Sequence, residues 1–173
     1  EHALYTQACE TGAIAHLAQL EGNQVLELMR ADVREARPRR MSIRMNLHST
    51  SLGKVLLAYA GEEAYQHFVG LKRMLKRITP RTITDFERLR AQLERVREEG
   101  YAIDDEESNL GARCVAVHVR DRLGKVAAAI SISGSLERLS ETAIWGLLPK
   151  MYRTAEFISR TLADNDDLGF DEC

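Results

Sequence analysis

Apolar residues recur in two rhythms along this chain, and each change of rhythm marks an element. Leu52, Val55, Leu56 and Tyr59 follow the i, i+3, i+4, i+7 spacing of a helix with one buried face, directly after the polar run His48-Ser49-Thr50-Ser51. That spacing predicts a helix starting at Thr50 or Ser51. A second amphipathic helix runs through Phe86, Leu89, Leu93 and Val96, and Gly100 ends it because glycine tolerates the left-handed backbone of a helix C-terminus. The last helix follows Ser140-Glu141, an N-cap with an acidic first turn, and carries Ile144, Leu147, Leu148, Met151, Ala155, Ile158 and Leu162, with a kink expected at Pro149. The opening residues Glu1 to Cys9 read as the end of a helix and, without an initiating methionine, as part of a longer protein.

Elsewhere the period is two. Ala13-Ile14-Ala15-His16-Leu17 and Val25-Leu26-Glu27-Leu28-Met29 flank Glu21-Gly22-Asn23, the pattern of a β-hairpin. Six arginines follow between Arg30 and Arg44, around Pro38; Asp32 and Glu35 interrupt them, so the segment reads as a solvated connection and edge strand rather than a phosphate site. Beyond Gly100, Tyr101 to Asp104 forms one strand, and Arg120-Asp121-Arg122-Leu123-Gly124-Lys125 turns between two more. Val115, Val117 and Val119 make one face of the first; Val126, Ala128, Ile130 and Ile132 belong to the second. Pairing Val119 with Val126 aligns both apolar sets, and sets Cys114 opposite Ser131, Ala116 opposite Ala129 and Ala112 opposite Ser133; a slip of two residues preserves the faces. Asp104 joins the same side. One sheet face thus gathers a carboxylate, a thiol and two hydroxyls among small residues, which leaves room for a ligand.

Composition narrows the class. At 173 residues and 45% apolar content the chain suits one domain, over 1–163, with an acidic tail, 164–173, expected to be disordered. A net charge of −2 gives no global pull toward nucleic acid or an anionic membrane. There is neither a membrane-length apolar run nor a signal-peptide pattern, so a cytoplasmic location is expected. Cys9, Cys114 and Cys173 are expected to be reduced thiols. Taken singly, a strand cysteine is usually an inert small hydrophobe, alternating serines usually face solvent, and Asp104 opens a solvated acidic run. Their convergence beside a helix start is what points to a site.

Four blocks carry a family resemblance: Leu47 to Ala58, Thr79 to Thr84, Arg97 to Asp104, and Gly111 to Ala116 through Ala129 to Gly134. The chain resembles the effector-binding domain of IclR-type bacterial transcriptional regulators over nearly its whole length. The resemblance implies an α/β (α+β) GAF-like fold, a curved antiparallel sheet flanked by helices, and an N-terminal winged helix-turn-helix outside this chain. DNA would be bound there and not here, the protein would be no enzyme and need no cofactor or metal, and the domain would associate as a homodimer or homotetramer. The implied effector site comprises the backbone amides of Ser51 and Leu52 with the side chains of Asp104, Cys114, Ser131 and Ser133.

Such a set suits a small organic acid, because the free N–H groups and positive dipole end of a helix start attract a carboxylate. Serine hydroxyls add charge-assisted hydrogen bonds, while an ionised Asp104 only accepts and should face a ligand hydroxyl, hydrated carbonyl or amine. The expected ligand is a keto, hydroxy or sugar acid, with Ala112 beside it and Met45 closing the pocket. Three rivals follow from the same residues. A Cys114 hydrolase is disfavoured because His118 lies about 13 Å along the strand. A metal site of Asp104, Cys114 and His48 has no diagnostic spacing, and redox sensing needs a depressed thiol pKa that nothing signals.

Overall fold

The computed structural model describes residues 1–166. Helix α1 (His2–Thr11) precedes strands β1 (Ile14–Glu21), β2 (Gln24–Ala31) and β3 (Arg39–Met45). Helices α2 (Ser51–Tyr59), α3 (Glu62–Leu71) and α4 (Phe86–Glu99) follow, then strands β4 (Tyr101–Asp105), β5 (Ala112–Arg120) and β6 (Val126–Ser135), and helix α5 (Glu141–Asp166). All six strands form one antiparallel sheet in the order β3-β2-β1-β6-β5-β4. Helix α5 continues through Asp164 to Asp166, where a disordered tail was expected to have begun; the rest of that tail lies outside the described residues.

Each face of the sheet has its own core. Ala18, Ala102, Ala116 and Ala129 pack against Leu52, Val55 and Leu56 of α2 and Leu89, Leu93 and Val96 of α4. On the other face Val115, Val117, Ile130 and Ile132 pack against Leu4 and Ala8 of α1 and Ile144, Leu148 and Met151 of α5. The alanines let α2 lie close to its face, and the branched residues fill the opposite one. No helix among the described residues is long and apolar enough to cross a membrane.

Two expectations need correction. The β5–β6 register is Cys114 with Ser133, Ala116 with Ser131 and Val119 with Ala128, two residues from the pairing that maximised apolar alignment. The register shifts between Val119 and Arg120, an irregularity next to the turn that alternation cannot reveal, and the faces survive because the slip is even. Helix α3 was not anticipated, since only Tyr65 and Phe68 of it are buried, with Val69 packed at the edge of the core, and so few residues define no period. The arginine-rich segment does end in edge strand β3, with Arg34 on Asp32, Arg39 on Glu35 and Arg44 on Glu21. Arg30 is the exception: half-buried, it pairs with the fully buried Glu27.

Candidate functional site

Thr50 caps α2: its side chain accepts from Gly53 N at 3.1 Å, and its carbonyl accepts from Lys54 N. The amides of Ser51 and Leu52 have no acceptor among the described residues. They are the two orphan donors an anion needs. Gly53 is required by proximity, since a Cβ there would lie 2.4 Å from Leu47 O and 2.5 Å from Leu47 Cα. The loop before the helix is thereby pressed onto its first turn.

Lys54 ties that first turn to the sheet. Fully buried, it donates to Ile103 O at 2.6 Å and to Gln92 Oε1 at 2.9 Å and pairs with Glu107. Burial pushes the Glu107 carboxyl up against the opposing charge of Lys54. The block Thr79 to Thr84 buttresses the same loop: Thr79 Oγ1 donates to Glu106 O at 2.6 Å, and Thr82 Oγ1 to Glu107 O at 2.7 Å.

Across the strands, directly opposed residues share a face. Asp104 pairs with Cys114, Cys114 with Ser133 and Ser133 with Ile14, which makes one continuous row over β4, β5, β6 and β1. The next row inward is Ala102, Ala116, Ser131 and His16. Four expected residues are therefore brought onto adjacent rows of the α2 face. Ala112 pairs with Ser135, one position further out on that face. Met45 is placed elsewhere: it pairs with Val25, which pairs with Leu20, six residues or roughly 20 Å of strand from Ile14, and it packs against the apolar cluster. It lies away from the polar rows, against the cluster that holds Leu52.

Asp104 is 1% exposed and engaged by its own loop: Oδ1 accepts from Glu107 N at 2.8 Å and Ser108 N at 3.2 Å, and Oδ2 from the Ser108 hydroxyl. Burial raises its pKa against those hydrogen bonds and the Lys54 charge. Its first role is thus to hold the turn after β4. Burial, reinforced by the charge of Asp104, pushes the Cys114 thiol up to about 12. That keeps it neutral and argues against a nucleophile or redox centre. His48, the ligand of the rival metal site, turns its Nε2 to Lys76 O at 2.9 Å, and among the described residues no cluster of three or more His, Cys, Asp or Glu could hold a metal.

The structure adds residues that the sequence reading passed over. His16 Nε2 lies 2.7 Å from Ser133 Oγ, and His16 Nδ1 lies 2.6 Å from Oε1 of Glu27. Arg30 clamps the same carboxylate with Nε at 3.0 Å and Nη2 at 2.8 Å. Glu27 is fully buried; burial alone would raise its pKa, but hydrogen bonds and charges from His16 and Arg30 bring it below the usual range. An acid in the middle of the apolar run Val25 to Met29 was the available signal. A cleft of about 410 Å³ is lined by Ile14, Asp32, Arg34, Ser133 and Arg138 among others; of the expected site residues Ser133 alone borders it.

Comparison with known proteins agrees with this architecture. Residues 3–160 match the family described as bacterial transcriptional regulator IclR, C-terminal. The HTH-type transcriptional regulator BhcR of Paracoccus denitrificans is 35% identical over 166 residues, which cover 92% of this chain but 57% of that protein. The chain therefore spans little more than half of that relative. The crystal structure of the C-terminal domain of the Escherichia coli regulator KdgR superposes with a TM-score of 0.84 at 33% identity, over 93% of this chain and 94% of that one. The inducer-binding domain of the Acinetobacter transcription factor PobR, a double mutant solved with 3-hydroxybenzoic acid, gives 0.82 at 28% identity, over 91% and 94%. These relatives are transcriptional regulators, not enzymes, and their domains share the GAF-like α/β arrangement. The chain belongs to the IclR family of bacterial transcriptional regulators, as their C-terminal regulatory domain.

Proposed function

We propose that this domain senses a small organic acid, of the keto, hydroxy or sugar acid class, and couples its binding to operator binding by an N-terminal DNA-binding domain outside this chain. The observation that carries the reading is the pair of orphan amides at Ser51 and Leu52, on a helix whose first turn is tied by Lys54 to the strand bearing Asp104. The carboxylate docks on those amides. Ser131 and Ser133 read the adjoining oxygens, Cys114 and Ala112 supply small uncharged wall, and Asp104 holds the loop at the site's edge while its remaining lone pairs accept from a ligand hydroxyl. The 3-hydroxybenzoic acid of the PobR complex, a hydroxy acid, is of the same class.

Effector binding alters DNA affinity only through its differential affinity for two arrangements of the whole protein, typically a coupling of about 1–3 kcal/mol. The protein works in the cytoplasm as a homodimer or homotetramer. A thermal-shift screen of small carboxylates tests the reading, with Ser131→Ala and Asp104→Ala as controls. Stabilisation of the parent that is lost or reduced in the variants is expected. No stabilisation by any acid at high concentration would end the sensor reading.

A further inference from the structure

On the side of the sheet away from α2, helices α1 and α5 enclose a groove. Glu10 pairs with Lys150 across it at 3.4 Å, and Gln7 and Arg153 follow about one helical turn on from either side. Two clefts run along the groove and share His2, Ala3 and Phe157. The one that holds Gln7, Glu10, Lys150 and Arg153 measures about 320 Å³. The other, of about 210 Å³, is walled chiefly by apolar side chains, among them Leu4, Leu17, Met29, Ile158 and Leu162. Gln7 is the unusual member of this set. It is 3% exposed, yet neither its Oε1 nor its Nε2 has a hydrogen-bond partner among the described residues. Leaving a buried amide unpaired is costly, and satisfying both of its atoms takes a group that donates as well as accepts. Its three side-chain torsions let the amide turn toward a ligand laid above it. Charge adds a second condition. Glu10 offsets Lys150, and Arg153 has no ion pair among the described residues, so with His2 neutral the polar cleft carries one uncompensated cation. Phe157, 59% exposed, is the wall common to the polar and the apolar cleft.

We propose that this groove is a second ligand site of the domain, and that it takes an amphipathic hydroxy monocarboxylate, a medium-chain 3-hydroxyalkanoate. The carboxylate docks beside Arg153, which offers a planar fork of N–H donors. The neighbouring hydroxyl donates to Gln7 Oε1, and either it or the carboxylate accepts from Nε2. The alkyl chain runs past Phe157 into the apolar cleft, where it is removed from water. This site selects differently from the polar rows on the α2 face. Those rows present hydroxyls and small residues to a compact polar acid, whereas the groove favours an acid with an apolar tail. The inference stands independently of the carboxylate-sensor reading above.

Titration of the 15N-labelled 173-residue chain with 3-hydroxyoctanoate, octanoate and 3-hydroxybutyrate tests the proposal. 3-Hydroxyoctanoate should shift the Gln7 side-chain amide and the backbone amides of Ala3, Arg153 and Phe157. Octanoate, which lacks the hydroxyl, should shift the same resonances and bind about fivefold more weakly. 3-Hydroxybutyrate, which lacks the tail, should bind more weakly than either. In Gln7→Leu the preference for 3-hydroxyoctanoate over octanoate should disappear while octanoate still binds. The melting temperature of that variant should not fall, because an apolar group of similar size replaces an amide that had no partner. Arg153→Gln, at an exposed position, should weaken both eight-carbon acids about tenfold. The groove proposal is overturned by failure of 3-hydroxyoctanoate to bind, by shifts confined to Ser51, Leu52 and the polar rows, or by unchanged affinity in Arg153→Gln. A hydroxyl preference that persists in Gln7→Leu, or a melting temperature lowered by that substitution, overturns it as well. The sensor reading is decided separately, by the response of Ser51 and Leu52 to compact acids.

Discussion

Lys54→Met is the most informative structural perturbation, because it removes one charge from a buried pair and leaves the other. Lys54 heads the fully buried side chains by size and spans three partners: Glu107, Gln92 Oε1 and Ile103 O. Methionine keeps the volume but leaves the 5%-exposed Glu107 without its cation. Breaking a buried pair in this way costs about 3–5 kcal/mol, a large share of the roughly 5–15 kcal/mol by which domains are stable. At about 2–4 °C per kcal/mol for a chain of this size, the melting temperature should fall by roughly 6–20 °C. The deficit also has a pH signature. Glu107 already has a raised pKa in the folded state, so its contribution is fully present below its unfolded value of 4.5 and is lost as pH rises through the folded one. Loss of Lys54 raises the folded value further, so the variant's deficit should be largest in alkali and shrink on acidification as Glu107 protonates. Lys54→Met/Glu107→Gln should recover part of the loss. Urea unfolding followed by circular dichroism from pH 5 to 8 measures all of this. A deficit under about 1 kcal/mol at pH 8, or one that does not shrink in acid, would refute the reasoning.

Gly53→Ala should destabilise the domain by about 1–3 kcal/mol in chemical denaturation, because its Cβ collides with the Leu47 backbone rather than with a yielding side chain, and should weaken carboxylate binding by shifting the Ser51 and Leu52 amides. Burial, aided at His48 by the charges of Lys72 and Lys54 and at His118 by that of Arg120, lowers both histidines from 6.5. Their contribution is therefore complete above that pH and lost as pH falls through the folded values; replacing both with glutamine should flatten the acid side of a stability–pH profile. Alkylation at neutral pH, mapped by mass spectrometry, should modify exposed Cys9 and spare Cys114, whose thiol sits near 12. Cys114→Ala should accordingly retain binding, weakened by less than about tenfold, roughly 1.4 kcal/mol.

Long periodic elements could be read directly from the chain: the start of α2 at Thr50-Ser51, the stop of α4 at Gly100, the opening hairpin and the faces of β5 and β6. Each is governed by local chemistry, a cap, a positive-φ glycine or an alternation of period two. Features fixed by distant partners were not legible. The β5–β6 register depends on the shift at Val119/Arg120, α3 on two aromatic residues finding the core, and the Met45 placement on where β3 joins the sheet. The shared face of Asp104, Cys114, Ser131 and Ser133 followed from parity, whereas the row that aligns Cys114 with Ser133 depends on the register, and the bond between His16 and Ser133 spans 117 positions and joins strands that no local pattern pairs. Asp104 shows the opposite limit: its face was legible, but its capture by Ser108 and the Glu107 amide depends on a loop conformation that alternation does not describe.

Backbone amide chemical shifts give the most direct test of carboxylate recognition. The 15N-labelled chain is titrated with whichever of pyruvate, D-gluconate or 3-hydroxybenzoate stabilises it most. The largest changes are expected at the amides of Ser51 and Leu52, with a second set at Cys114, Ser131 and Ser133. Changes confined to another surface, such as the groove between α1 and α5 lined by Gln7, Lys150 and Phe157, would contradict it.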